Sequence, residues 1–546
     1  MLDQSNLEQT VTRLSNSLVR LERRLGEVEL VLGLQEAMRD TPPPIESMQD
    51  DSVKTDEEAL EFQIGELWVG QVGIVALLIG VAFLISFPFG IHPAVQSLMG
   101  YVTVGLGFWV ARQWLASHAP ISHTLFVGCL ALLYFTTLRL HFFNLDPLIS
   151  QKVPGLALCT VSVGFTVYIG VLRRSQPLIC LAILLAMATA LISETTHFAL
   201  VTIAATAAIT VYFRLKYDWS ESVMFCLVMT YLTHLLWLFN NPLMGRPLGL
   251  LPEHHWNLLY LVAYASLFGV SNLPKRKSTD SDLGNIALTL FNGAGFYALS
   301  LLVAHAYYQH QFAGLNLMFS VFSLALASAY WLYRESQFST SFYACFGYMA
   351  LTVAIISHFE SPVSFIWLGW QSLLVVSSAI WFRSKIVVVA NMVIYLGILI
   401  YYLSFVAPDL AVNMSYAAVA LLSARILNWQ RERLTLYTES MRNIYLASAL
   451  VIVPYGLSYG VAGDYISVSW LGAALFFFAL NLALHNTKYR WMAIWMLFLT
   501  VGRVVLIDMA SLSPAFRIVS FMVVGVTMLV VSWMYARYRK ETTDET

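Results

Sequence analysis

Two apolar patterns follow one another along this chain. In residues 7 to 32, Leu7, Val11, Leu14, Leu18, Leu21, Leu25, Val28 and Leu32 recur at alternating spacings of four and three, the period of a coiled-coil seam. The spacing predicts a helix over 1–39. It pairs with a second copy or a partner helix, or else rests as a lone amphipathic helix on the membrane surface or on its own protein. Arg24 and Glu29 stand at g and following e positions, where a parallel partner would pair them across the seam. Gly26 and Gly33 weaken the helix by roughly 1 kcal/mol each. Residues 40 to 60, "DTPPPIESMQDDSVKTDEEAL", hold too little apolar surface to fold alone, which predicts a flexible linker over 40–64.

From Val69 onward the pattern changes to unbroken apolar runs of about twenty residues, each long enough as a helix to cross a hydrocarbon core of roughly 30 Å. There are eighteen, the first at 69–87 and the last at 515–536. They predict an all-α, polytopic transmembrane helical bundle over 65–540, followed by a short tail, 541–546. The turns between the runs test this count, because cytoplasmic turns collect Lys and Arg. Twenty basic residues, from Arg112 through Arg173, Arg174, Arg214 and Lys216 to Arg537, Arg539 and Lys540, follow even-numbered runs, against Lys152, Arg246 and Arg517 on the other side. A missed or invented run would break that alternation, so both termini are expected on the basic, cytoplasmic face.

Composition agrees. The chain is 58% hydrophobic and 12% charged, whereas a soluble domain is about 25% charged. Lys plus Arg number 31 and Asp plus Glu 32, so no basic field exists to hold a phosphate backbone. Nucleic acid is excluded as an expected partner, and membrane lipid is the expected surroundings. The first forty residues lack the apolar core of a cleavable signal peptide, so the first membrane run is expected to act as the insertion signal. The five cysteines, Cys129, Cys159, Cys180, Cys226 and Cys345, all fall in apolar runs without a C-x-x-C and read as small buried hydrophobes.

Few residues stand out chemically. Arg503, Asp508 and Arg517 flank the last predicted turn, where Ser513 can cap the final helix and Pro514 suits its first position. Arg517 would be a cation near the positive end of a helix dipole, with Asp508 its compensator. The cluster reads first as a structural clip on the last hairpin; a part in passing protons or holding an anion is the alternative. Gly73, Gly80, Gly100, Gly105 and Gly107 read as close-packing surfaces. His254 and His255 beside Glu253, and His118 and His123 around Pro120, lack metal-site spacing, while His234, His305 and His358 read as hydrogen-bonded interior or interfacial residues. Glu194 and Asp464 are expected to be solvated turn acids, and Arg139 is expected to reach the interface near Asp146. No phosphate loop, H-E-x-x-H or G-x-S-x-G occurs, so neither a metal nor a cofactor is expected, and the reading leans away from an enzyme.

The closing stretch, "RVVLIDMASLSPAFRIVSFMVVGVTMLVVSWMYARYRK", resembles the end of the bacterial polytopic membrane proteins grouped as domain-of-unknown-function family 2339. "GELWVGQVGIVALLIGVAFLIS", 65–86, and "WLGWQSLLVVSSAIWFRSK", 367–385, resemble its first span and an internal element. Two departures stand out: that pattern has Lys where Arg503 stands and Glu where Gln371 stands. The resemblance implies a bacterial inner-membrane protein and no assigned activity. The expectation is therefore a non-enzymatic envelope scaffold that self-associates or recruits a coiled-coil protein partner through its N-terminal helix. The alternative is a transporter or binding protein for a lipid-like or small polar ligand.

Overall fold

The apolar runs become helices almost residue for residue. The computed structural model describes residues 69–86, 92–116, 119–143, 147–273, 282–334, 336–429 and 438–508, with a few single residues up to 526. The heptad segment, the linker and the run at 515–536 lie outside the described residues. The first compact unit ends at Arg139 and contains α1 (Val69–Ser86), α2 (Pro93–Trp114) and α3 (Ala119–Leu138). The second, from Leu140, begins with α4 (Lys152–Leu172), α5 (Gln176–Ile192), α6 (Thr196–Tyr217), α7 (Ser220–Leu238) and α8 (Asn257–Ser271). It continues through α9 (Asp282–Tyr307), α10 (Phe312–Ala329), α11 (Gln337–His358), α12 (Val363–Trp381) and α13 (Lys385–Phe405). It closes with α14 (Leu410–Trp429), α15 (Thr438–Gly460), α16 (Ile466–Leu484) and α17 (Thr487–Arg503).

These seventeen helices coincide with the first seventeen predicted runs. Thirteen are long and apolar enough to cross a membrane, and α1, α5 and α8 are apolar but shorter. The remaining one, α15, opens with Glu439, Arg442 and Asn443, which lower its average hydropathy. Among the described residues there is no strand.

Local chemistry explains where helices begin and end. Ser336, Ser384 and Asn486 accept backbone N–H groups at the starts of α11, α13 and α17, and Asp409 Oδ1 accepts Val412 N–H at 3.0 Å in the first turn of α14, satisfying donors that a helix start leaves open. Several helices stop on a left-handed residue that is not glycine: Arg174, Glu194, Asp218, Arg383 and His485 all have φ between 48° and 64°. That conformation costs roughly 1–2 kcal/mol outside glycine. It reverses the chain within a few residues, so α5 and α6, or α6 and α7, form tight hairpins.

In the first unit, small residues set the spacing at some positions only. A Cβ on Gly100 would meet Thr136, and one on Gly107 would meet Cys129 Sγ, so α2 lies directly against α3. Among the described residues, nothing lies within 4 Å of a Cβ at Gly73, Gly80 or Gly105. Arg139 corrects an expectation. Instead of reaching outward, it is buried and its guanidinium donates to the carbonyl of Ile85 at the end of α1, because a helix C-terminus leaves its last carbonyls unpaired.

In the second unit packing is serial: each helix packs substantially only on helices one or two places along the chain. Two apolar cores result, one built mainly by α5 to α9 and one by α10 to α17. Lipid offers no hydrophobic drive between helices, so shape fit and interhelical hydrogen bonds must hold them, at roughly 0.6 kcal/mol per bond on average. Asn292 of α9 is the densest joint. It accepts Tyr231 OH from α7 at 2.7 Å and donates to Ala265 O of α8 at 3.0 Å and to Tyr343 OH of α11 at 2.8 Å. Asn391 of α13 likewise donates to Ser372 Oγ of α12 at 2.9 Å and Tyr445 OH of α15 at 3.2 Å.

The contacts sort by end as the charge pattern requires. Arg214, Asn272, Asn285 and Arg334 meet at one face of the unit. At the other, Glu194 takes Lys152 Nζ at 3.1 Å and Arg246 Nη2 at 3.6 Å, clasping the start of α4, the α5–α6 turn and the α7–α8 loop. Glu194 is solvent-exposed as expected, and it also engages two of the three basic residues predicted on that face. The hydrogen bond from Lys152, with both cations close by, holds its carboxyl below the usual glutamate range. A depressed carboxylate stabilises the fold above its unfolded pKa, and that stability is lost as pH falls through the folded value. Thermal unfolding of Glu194→Gln beside the parent should therefore show a small deficit at neutral pH, about 1 kcal/mol or less for so exposed a cluster. The deficit should close in acid.

Candidate functional site

The charged cluster predicted around the last turn is built from the end of α17. Its hydrogen bonding shifts to the i→i+5 pattern over Val504–Asp508, a local winding that often marks functional sites. Arg503 stands at the junction. Its guanidinium lies 5.5 Å from the centre of the Trp470 ring on α16. Trp470 Nε1–H in turn donates to the carbonyl of Pro454 inside α15 at 3.1 Å, and that oxygen also takes the Ser458 hydroxyl at 2.8 Å. One cation thus fastens three consecutive helices through an aromatic face, an interaction of about 0.5–2 kcal/mol depending on desolvation. Asp508 closes the wide turn; its side chain and Arg517 lie outside the described residues, and with them the expected Asp508–Arg517 compensation.

A second cluster was not singled out in the sequence. Arg214, buried near the end of α6, donates to Asn285 Oδ1 at 3.1 Å and approaches Asn272 Oδ1 at 3.5 Å. Arg334 donates to both the side chain and the carbonyl of Asn272. Asn272 Nδ2 reaches Asn285 O at 3.4 Å, and Thr289 Oγ1 donates to the same carbonyl at 2.9 Å. The signal was present as asparagines inside or at the ends of apolar runs, where a polar group demands a partner. A search aimed at charges and short motifs passes over them.

Gln371, one of the two departures from the resembled pattern, sits on α12 with its amide fixed by its partners. Nε2 donates to Tyr348 O at 2.9 Å and to Thr352 Oγ1 at 2.8 Å, both on α11. The carbonyl acceptor dictates that the nitrogen faces it. An ionised carboxylate at this position would have no proton to offer.

The histidines do not assemble a site. His254 stacks on Tyr307 with ring centres 4.3 Å apart, and His305 sets its ring edge-on to Phe312. His234 is fully buried edge-on to Tyr264, and neither ring nitrogen is hydrogen-bonded, which corrects the expectation of a bonded interior histidine. Among the described residues no three His, Cys, Asp or Glu side chains are grouped to hold a metal ion.

Helices of this length and apolarity, fastened by polar contacts at their ends and middles, define a multi-pass membrane protein. Residues 458–538 match the family described as "Predicted membrane protein (DUF2339)". The resemblance noted at the closing stretch therefore stands over the segment that carries α16, α17 and Arg503. The stretches at 65–86 and 367–385 lie outside that match. No curated protein and no solved structure matches the chain.

Two experiments test the side chains described above. In a double-mutant cycle, Arg503→Leu and Trp470→Leu should be non-additive by about 0.5–2 kcal/mol in detergent unfolding; full additivity would mean the cation and ring do not interact. Gln371→Glu should cost about 1–3 kcal/mol at neutral pH, the penalty of a buried group left unpaired, and more than Gln371→Met. Part of that loss should return in acid, where a protonated carboxyl can donate.

Proposed function

We propose that the chain is a scaffold of the bacterial inner membrane, with eighteen helices crossing the bilayer and both termini in the cytoplasm. In this reading the N-terminal heptads recruit a second copy or a partner's helix, and the membrane domain is the platform that fixes where they stand. The observation that carries it is the use made of polar side chains inside the bundle. Arg139, Arg214, Asn292, Asn391 and Trp470 each bond to a neighbouring helix, as expected of joints that set a shape.

Serial packing supports the same reading. Transport by alternating access needs two bodies that rock about a shared midplane site, whereas neighbour-on-neighbour stacking distributes rigidity along the unit. The alternation of basic turns supports the orientation, since the positive-inside rule assigns those turns to the cytoplasm.

Deleting residues 1–39 separates platform from recruiter. The truncated chain should insert and unfold like the parent, yet lose its crosslinked higher-order species on native gels and the proteins that copurify with it. Unchanged assembly after the deletion would refute the scaffold reading.

A further inference from the structure

The α11–α12 hairpin separates two grooves that open at the same end of the second unit. The first, of about 520 Å³, runs between α10 and α12 over α11, with Gly314, Ile355, Trp367, Trp370 and Leu374 among its walls. The second, of about 890 Å³, lies toward α13, between Ile356, Phe365, Leu368, Gly397 and Tyr401. His358 and Phe359 line both, so the grooves share a mouth at the hairpin turn.

Their reach is set by helix geometry. Counted from the helix ends at the shared mouth, Leu351 lies seven residues inside α11, Leu374 eleven inside α12 and Ile394 eleven inside α13, about 10–17 Å at 1.5 Å per residue. A single leaflet of a hydrocarbon core is about 15 Å deep. Both grooves therefore start at one membrane surface and end near the midplane. Two apolar slots of one leaflet's depth, joined at the surface, match the shape of two acyl chains joined at a head group.

The shared mouth has a definite chemistry. Ser357, Glu360, Ser361 and Ser364 line it on the α13 side, and Glu360 is exposed. Among the described residues, no Lys or Arg lines either groove, and His358 is the one basic side chain at the mouth. The lining offers a carboxylate and hydroxyls, so it complements a head group that brings its own positive charge and N–H donors. Glycine at two wall positions adds room. A Cβ at Gly314 or Gly397 would meet nothing within 4 Å, so larger side chains there enter the grooves without displacing a neighbour.

We propose that the two grooves hold one phospholipid with an ammonium head group, of the ethanolamine type, with one tail on each side of α12 and the head group against Glu360. This goes beyond the scaffold reading and stands whether or not the N-terminal helix recruits anything. The test uses the full chain, delipidated in detergent and titrated with phosphatidylethanolamine or phosphatidylglycerol, bound lipid being counted by native mass spectrometry. One ethanolamine lipid per chain should bind about tenfold more tightly than the glycerol lipid, the worth of one charge-assisted hydrogen bond. Glu360→Gln, on an exposed turn, should erase that preference. Gly314→Leu and Gly397→Leu should each weaken binding by about fivefold or more, as filling a slot excludes the tail, while the unfolding temperature in lipid-free detergent stays unchanged. Equal binding of the two lipids by the parent, or a preference that survives Glu360→Gln, would overturn the head-group assignment. Unaltered binding in both groove-filled variants would mean surrounding lipid only.

Discussion

Everything in this molecule follows from one constraint: inside hydrocarbon, a polar group finds its partner on the protein or goes without. Unsatisfied backbone groups cost several kcal/mol each in the bilayer core, which is why the apolar runs can only be helices. The same constraint then acts on side chains. Asn292 and Asn391 are buried within the bundle, and each turns to a neighbouring helix. The bonds are individually weak, but they are the directional part of helix association once the hydrophobic effect no longer distinguishes a neighbour from lipid.

Because each such bond must be made by a helix that is already near, the order of the chain becomes the order of packing. Consecutive helices meet as hairpins, and most further ties skip one helix, as α9 to α11 through Asn292 and Tyr343 or α13 to α15 through Asn391 and Tyr445, while Arg214 of α6 reaches as far as Asn285 of α9. Stability in such an arrangement resembles that of repeat arrays, in which each unit depends on its immediate neighbours. Rigidity is then local and additive. That suits a platform, and it leaves gaps where three helices fail to close, as beside the α11–α12 hairpin.

The helices could be read from the sequence because their signal is redundant. Length, apolarity and the placement of Arg and Lys each constrain the same boundaries, so helices such as Thr196–Tyr217 and Val363–Trp381 fall on apolar runs of the sequence. The left-handed stops at Arg174, Glu194 and His485 were not visible there, since only glycine advertises that conformation in a sequence. Pairings between distant turns, such as Lys152 with Glu194 or Arg334 with Asn272, depend on which hairpins lie side by side, and nothing local encodes that. At Arg503 the charge marked the position, but nothing in the sequence marks the Trp470 ring it meets, which looks like any other interfacial aromatic.

The two departures from the resembled family pattern point in the same direction. Arginine in place of lysine at 503 substitutes a planar cation that spreads over an aromatic face for a compact, strongly hydrated one. Glutamine in place of glutamate at 371 substitutes a fixed donor for a group that would have to carry a proton to bond the same carbonyl. Both replacements exchange titratable or strongly hydrated groups for directional ones that keep a single protonation state at any physiological pH. A site built to relay protons needs groups that gain and lose them. Neither Gln371 nor Arg503 is such a group at physiological pH, and each is fitted to a named partner on the adjoining helix.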